Sequence, residues 1–143
     1  MRYKFDLSPA IKSTVEWQLQ YYRDDLRQLE TYKQDLIPSG VQGYSPTAGS
    51  TGGGNVSRST EDIAFRLISS PYIRRLEITC EAIGRVLSAL DEVDLKLIEL
   101  VYWRREYTVE GAAMKIHISK TAAYQRINKV LGAIAYALGY VQQ

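Results

Sequence analysis

The chain has little of what membrane proteins and metalloproteins need. Among its 143 residues there is one cysteine, Cys80, and one histidine, His117. A lone cysteine cannot form an intramolecular disulfide, and the two residues do not supply the ligand set of a zinc site. No apolar run approaches the ~18 residues of a membrane span, and the first residues, MRYKFDLSPAIKS, lack the apolar core of a signal peptide. We therefore expect a cytoplasmic protein with no metal, no cofactor and no membrane partner.

The sequence also lacks the motifs of an enzyme. The glycine-rich run GSTGGG has no Lys-Ser or Lys-Thr after it and so is not a phosphate-binding P-loop. The carboxylates are scattered along helical faces, and no residue stands out as a nucleophile or base. We expect no catalytic residue and no enzymatic activity.

Acidic residues are absent from the last part of the chain. All 16 carboxylates precede residue 111, where they are accompanied by 14 of the 18 lysines and arginines. The remaining cations are Lys115, Lys120, Arg126 and Lys129. The net charge is only +2, but it is concentrated where contact with phosphates would use it. The alternative is that these four cations form an ordinary solvated face.

The N-terminal segment, residues 1–37, predicts one long heptad helix. Ser8 and Pro9 provide a helix start. Apolar residues then recur at heptad spacing, which predicts a helix of about 28 residues and about 42 Å. They are Val15, Leu19, Tyr22, Leu26, Leu29 and Leu36. Residues 38–59 contain six glycines and two prolines and predict a flexible linker.

Residues 60–90 predict a second, kinked heptad helix. Pro71 disfavours helical geometry at the preceding residue, so we expect a break near Ser70. An apolar seam follows the break. It consists of Ile73, Leu76, Cys80, Ile83, Leu87 and Leu90. The pattern leaves open whether the two heptad helices pair within one chain or across a homodimer.

Residues 91–143 predict a helix-turn-helix domain, so the fold class is all-α. Asp91, Thr108 and Ser119 are placed to cap three successive helices. The trio from Ile116 to Ile118 forms the corner between the last two. At that corner, His117 replaces the glycine that a left-handed backbone usually needs.

The last helix has one apolar and one polar side. With Ile127 at the centre of the inward side, the core positions are Ala123, Val130, Leu131, Ile134 and Leu138. For base readout in double-stranded DNA we predict Lys120, Thr121, Ala122 and Gln125, because residues near the N-terminus of a recognition helix reach base edges. For phosphate contacts we predict Arg126, Asn128 and Lys129. Arg104 and Arg105 either reach a phosphate or remain solvated.

The run from Leu90 to Gly139 resembles the C-terminal half of RinA/ArpU-type phage transcriptional regulators, which in turn resembles region four of bacterial σ factors. The matching features are Leu90-Asp91, Leu97-Ile98-Glu99-Leu100, Tyr102-Trp103, Thr108-Val109-Glu110, Ala113, Ile118-Ser119-Lys120, Ala123-Tyr124 and Lys129-Val130-Leu131. Gly111 and His117 depart from the pattern of the family.

The resemblance implies a phage or prophage transcriptional regulator in the bacterial host cell, activating genes of the late, packaging or lysis type. Contact with bacterial RNA polymerase is left open. A small terminase subunit, which also joins a helix-turn-helix to coiled-coil helices, is the alternative, and a stand-alone σ-like factor is another.

Overall fold

A computed structural model describes residues 7–35 and 70–142. The predicted linker, Leu36 and the start of the second heptad helix, residues 60–69, lie outside these ranges. Within them the chain is helical and has no strand, which confirms the all-α class. The helices are α1 (Pro9–Gln20), α2 (Tyr22–Asp35), α3 (Pro71–Ser88), α4 (Glu92–Ile98), α5 (Val109–Lys115) and α6 (Lys120–Ala137), with a π-helical turn, Glu99–Trp103, continuing α4. None of the described helices combines the length and apolarity needed to cross a membrane.

The predicted helix starts are confirmed. Ser8, Asp91, Thr108 and Ser119 each accept a hydrogen bond from the backbone N–H three residues ahead, at 2.9 to 3.3 Å. Each bond satisfies one of the amides that a helix leaves unpaired at its N-terminus. α3 begins at Pro71, as the restriction on the residue before proline predicts.

The prediction of one uninterrupted N-terminal helix is wrong. A turn at Tyr21 separates α1 from α2. The carbonyl of Leu19 accepts a hydrogen bond of 3.0 Å from the indole Nε1 of Trp103. In a continuous helix this carbonyl would accept from Arg23, so a contact with a residue 84 positions away competes with the helix at that point.

The chain divides into two compact units, with boundaries inside α2 and α3. Unit 1 comprises Met1–Asp24 and Ile78–Gln143. Its core joins α1 and α3 to the C-terminal helices, so α1 packs in cis against α6. The buried residues are Val15, Leu19, Ile83, Leu87, Leu97, Ile98, Leu100, Tyr102, Ala112, Ala113, Ala123, Ile127, Val130, Leu131, Ile134 and Ala135.

Unit 2 comprises Asp25–Glu77. Among its described residues, Leu29 and Ile73 are buried, whereas Leu26 is 39% exposed. Lys33 Nζ and Glu77 Oε1 form an ion pair at 3.6 Å. The predicted seams are therefore buried at most described positions, but pairing of the two heptad helices as a coiled coil remains a prediction.

Candidate nucleic-acid interface

The corner between α5 and α6 is tight because His117 takes a left-handed conformation. Its φ is 62°, as expected for the residue in the place of glycine. The backbone N–H of Ile118 then donates to the carbonyl of Ala113 at 3.0 Å, which closes the end of α5. One residue later Ser119 caps α6, where its side-chain Oγ accepts a hydrogen bond of 3.1 Å from the backbone N–H of Ala122. The corner therefore contains one closing hydrogen bond at the end of α5 and one at the start of α6.

Two small side chains lie where α5 approaches α6. Ala112 and Ala113 are 0% and 1% exposed, and both belong to the core of unit 1. The predicted inward side of α6 is buried at all but one position, Leu138 being half-buried. This burial leaves the opposite side of α6 directed away from the core.

The outward side of α6 carries polar side chains without protein partners in the described part of the chain. Thr121, Gln125, Asn128 and Lys129 are exposed, and Ala122 is half-buried between them. Within the described part of the chain, none of the four exposed side chains makes a hydrogen bond or an ion pair. Their donors and acceptors are therefore free to bind a ligand without first breaking a protein contact.

Lys120, at the first position of α6, is already paired. Its Nζ lies 2.7 Å from Oε1 of Glu110, in the first turn of α5. Hydrogen bonding to Lys120 lowers the pKa of Glu110, and the same contact raises the pKa of Lys120. Both groups are fully charged near neutral pH.

Arg126 is held by two acids at the N-terminal end of α4, Asp91 and Asp94. Its Nη1 lies 3.0 Å from Oδ1 of Asp94 and 3.1 Å from Oδ2 of Asp91. The pKa of Asp91 is lowered first by the backbone N–H of Asp94 that it caps and then by Arg126. A phosphate would have to compete with these two carboxylates for the guanidinium.

Arg104 and Arg105, which precede α5, also contact other side chains of the chain. Arg104 Nε lies 3.9 Å from Glu106. With its carbonyl oriented toward Arg105, Gln20 accepts guanidinium hydrogen bonds of 2.8 to 3.1 Å. Arg105 Cζ also lies 4.9 Å from the ring centroid of Tyr21. Arg105 is thus directed toward the end of α1.

Tyr102 and Trp103 lie in the π-helical turn and contact α1 and the start of α2. Tyr102 is 6% exposed, and its hydroxyl donates to Glu16 at 3.0 Å. Burial, followed by the nearby Glu16 charge, raises the pKa of Tyr102 far above its ordinary value. The guanidinium of Arg23 lies 4.0 Å from the centroid of the Trp103 ring. The aromatic pair therefore joins the C-terminal helices to the α1–α2 turn.

Sequence reasoning missed the acids that reach α6 from outside the acid-free stretch. Glu110, Asp91 and Asp94 precede that stretch, yet they pair with Lys120 and Arg126. Of these three acids, only Glu110 could have been suspected from the sequence, because it immediately precedes the acid-free stretch. The positive charge that remains unpaired in the described part of this region belongs to Lys115 and Lys129.

No group of His, Cys, Asp and Glu among the described residues could hold a metal ion. No family model, curated protein or solved structure matches the chain.

Proposed function

We propose that this protein is a sequence-specific DNA-binding transcriptional regulator of phage or prophage origin, acting in the host cytoplasm. In this proposal α5 and α6 form a helix-turn-helix, and α6 enters the major groove. The main support for this proposal is the outward side of α6. It presents a row of exposed polar groups without protein partners in the described part of the chain, opposite the side that packs into the core. The resemblance to RinA/ArpU-type regulators supports the regulatory role, with activation as the outcome.

The side chains on the outward side suit base edges and phosphates. Gln125 can make a paired contact with adenine, and Thr121 and Ala122 can contact the methyl group of thymine. Lys129 and Asn128 can bind phosphate, which fixes the register on the duplex. Because Arg126 is held by Asp91 and Asp94, we assign the phosphate contacts mainly to Lys129 and Asn128.

The test is DNA binding by a variant that lacks two residues of this side. Fluorescence anisotropy with labelled duplexes from the regulatory regions of the encoding genome should show binding that weakens with added salt. The double variant Gln125→Ala/Lys129→Ala should lose specific binding, by about 30-fold or more if each contact contributes at least about 1 kcal/mol.

Arg85→Ala is the matched control. Arg85 is exposed, pairs with Glu81 at 3.5 Å, and lines a surface hollow with Tyr136 and Gly139 at the other end of α6. Its loss removes one positive charge without touching the outward side, so specific binding should persist. Unchanged binding by the double variant would refute the assignment of this side of α6 to DNA.

Light scattering separates the regulator from the terminase alternative. A monomer or dimer agrees with the proposal, whereas a ring of eight or more subunits favours the small terminase subunit.

A further inference from the structure

Glu110 and Lys120 place a hydrogen-bond acceptor beside a donor at the N-terminal ends of α5 and α6. Their charged atoms are 2.7 Å apart, and the side chains are 54% and 63% exposed. Helical side chains lean toward the N-terminus of their helix, and that end of a recognition helix reaches base edges. A duplex read by α6 would therefore meet the carboxylate of Glu110 together with the ammonium of Lys120.

A carboxylate at this place is unfavourable for general attraction to DNA. It is repelled by phosphates and neutralises the adjacent lysine, and an exposed ion pair contributes little to stability. In the major groove, however, a carboxylate can accept a hydrogen bond from N4 of cytosine, while a lysine donates to O6 and N7 of guanine. Since N4 donates to O6 within the base pair, these two atoms lie about 2.9 Å apart. This spacing matches that of the ion pair.

The order of groups across the groove favours G·C over the other pairs. A G·C pair presents two acceptors on guanine followed by the donor on cytosine. With lysine over the purine, both charged groups are satisfied. An A·T pair in the same orientation presents the adenine amino group to lysine and the thymine carbonyl to the carboxylate. A donor then faces a donor, and an acceptor faces an acceptor. A T·A pair also presents an acceptor beside a donor, O4 of thymine and N6 of adenine, but it places the thymine methyl group where guanine has its second acceptor, N7. Discrimination against T·A therefore rests on the loss of that second lysine contact.

We propose that Glu110 and Lys120 together read one G·C base pair, so that Glu110 is a specificity-determining residue of the DNA interface. This inference rests on the function proposed above. The two side chains retain each other as partners while they bind, because an ammonium has three donors and a carboxylate about four acceptor positions. Neither of these two charges is therefore left unpaired on binding.

The experiment is selection of binding sites from a random duplex pool, followed by sequencing of the bound molecules. The proteins compared are the wild type, Glu110→Ala, Lys120→Ala and Glu106→Ala. In the wild type one position of the selected site should be G·C. At that same position the preference should fall by about 10-fold or more in both Glu110→Ala and Lys120→Ala, while the other positions remain selected.

Glu106→Ala is the matched control. Glu106 is an exposed acid just before α5, paired with Arg104, so its loss removes one negative charge without touching the Glu110–Lys120 pair. It should raise affinity for all duplexes alike and leave every base preference in place. Circular dichroism of each variant should show the helix content of the wild type.

The possible results distinguish failure of the Glu110–Lys120 inference from failure of the proposed DNA-binding function. A wild-type protein that selects no common sequence overturns both. A wild type that selects a site, combined with a Glu110→Ala variant that retains every preference or gains affinity uniformly, overturns the inference alone. Loss of different positions in Glu110→Ala and Lys120→Ala also overturns it.

Discussion

His117 sets the corner of the proposed DNA-binding unit through its backbone. Its side chain is exposed, and its φ of 62° lies in the left-handed region. That region costs most L-residues roughly 1–2 kcal/mol, with histidine and asparagine more tolerant than β-branched residues. The residue therefore acts in the turn through its conformation and not through its imidazole.

Two substitutions at His117 should have different effects on stability. His117→Val should lower the free energy of unfolding by about 1–2 kcal/mol, because a β-branched residue is strained at this φ. His117→Gly should change it by less than about 1 kcal/mol, since relief of strain is offset by the greater freedom of glycine in the unfolded chain. Urea denaturation measures both, and equal losses would show that the imidazole itself stabilises the corner.

At Arg126 the helical pattern predicted the position of the side chain but not its partners. With Ile127 at the centre of the inward side, a rotation of 100° per residue places Arg126 on the flank of α6, and its side chain is half-buried there. Its acids, Asp91 and Asp94, are 35 and 32 residues away. Such pairing depends on where α4 crosses α6. The spacing of residues along one sequence does not reveal that crossing. Local signals such as the cap at Ser119 were predictable because donor and acceptor lie three residues apart.

At the scale of elements, α5 and α6 are joined by close packing as well as by the turn. Ala113 is 1% exposed, whereas its neighbour Met114 is 79% exposed. A larger side chain at the buried position would force the two helices apart, because protein interiors are close-packed. The same change one residue later would enter solvent.

This contrast gives a matched pair of substitutions. Ala113→Leu should lower the free energy of unfolding by about 1–3 kcal/mol through overpacking, and it should weaken specific DNA binding because α6 is displaced relative to α5. Met114→Leu should leave both unchanged. Thermal unfolding and anisotropy titrations provide the measurements, and an Ala113→Leu protein with wild-type stability and binding would contradict the proposed close approach.

The α1–α2 turn shows the limit of pattern reading at this scale. The apolar spacing from Val15 onward is continuous through Tyr21 and favours one helix. The interruption instead coincides with a tertiary contact, the hydrogen bond of 3.0 Å from the Trp103 indole to the Leu19 carbonyl. Periodicity detects which face is buried but not a side chain that competes for a backbone carbonyl.

In unit 1 as a whole, one core joins the N-terminal helix to the C-terminal helices. Val15 and Leu19 of α1 are buried in the same cluster as Ile127 and Ile134 of α6. The sequence predicted these residues as buried, but it assigned α1 and α6 to separate domains. On the side opposite its outward face, α6 thus packs against α1 and α4.

At the scale of the whole molecule, the charge distribution favours DNA binding through a small surface on α6. The net charge of +2 is small, and two of the cations on α6, Lys120 and Arg126, are paired with acids at the N-terminal ends of α4 and α5. General attraction to phosphates is therefore weak, and tight binding would have to come from matching base contacts. A regulator of this kind should discriminate strongly between its own site and other DNA.

The most direct test is selection of fragments from the genome that encodes this chain, followed by sequencing of the bound DNA. The wild type should enrich a few regulatory fragments that share one motif, and Gln125→Ala/Lys129→Ala should enrich none. No common motif with the wild type, or the same motif with the double variant, would contradict the account that the outward side of α6 reads DNA.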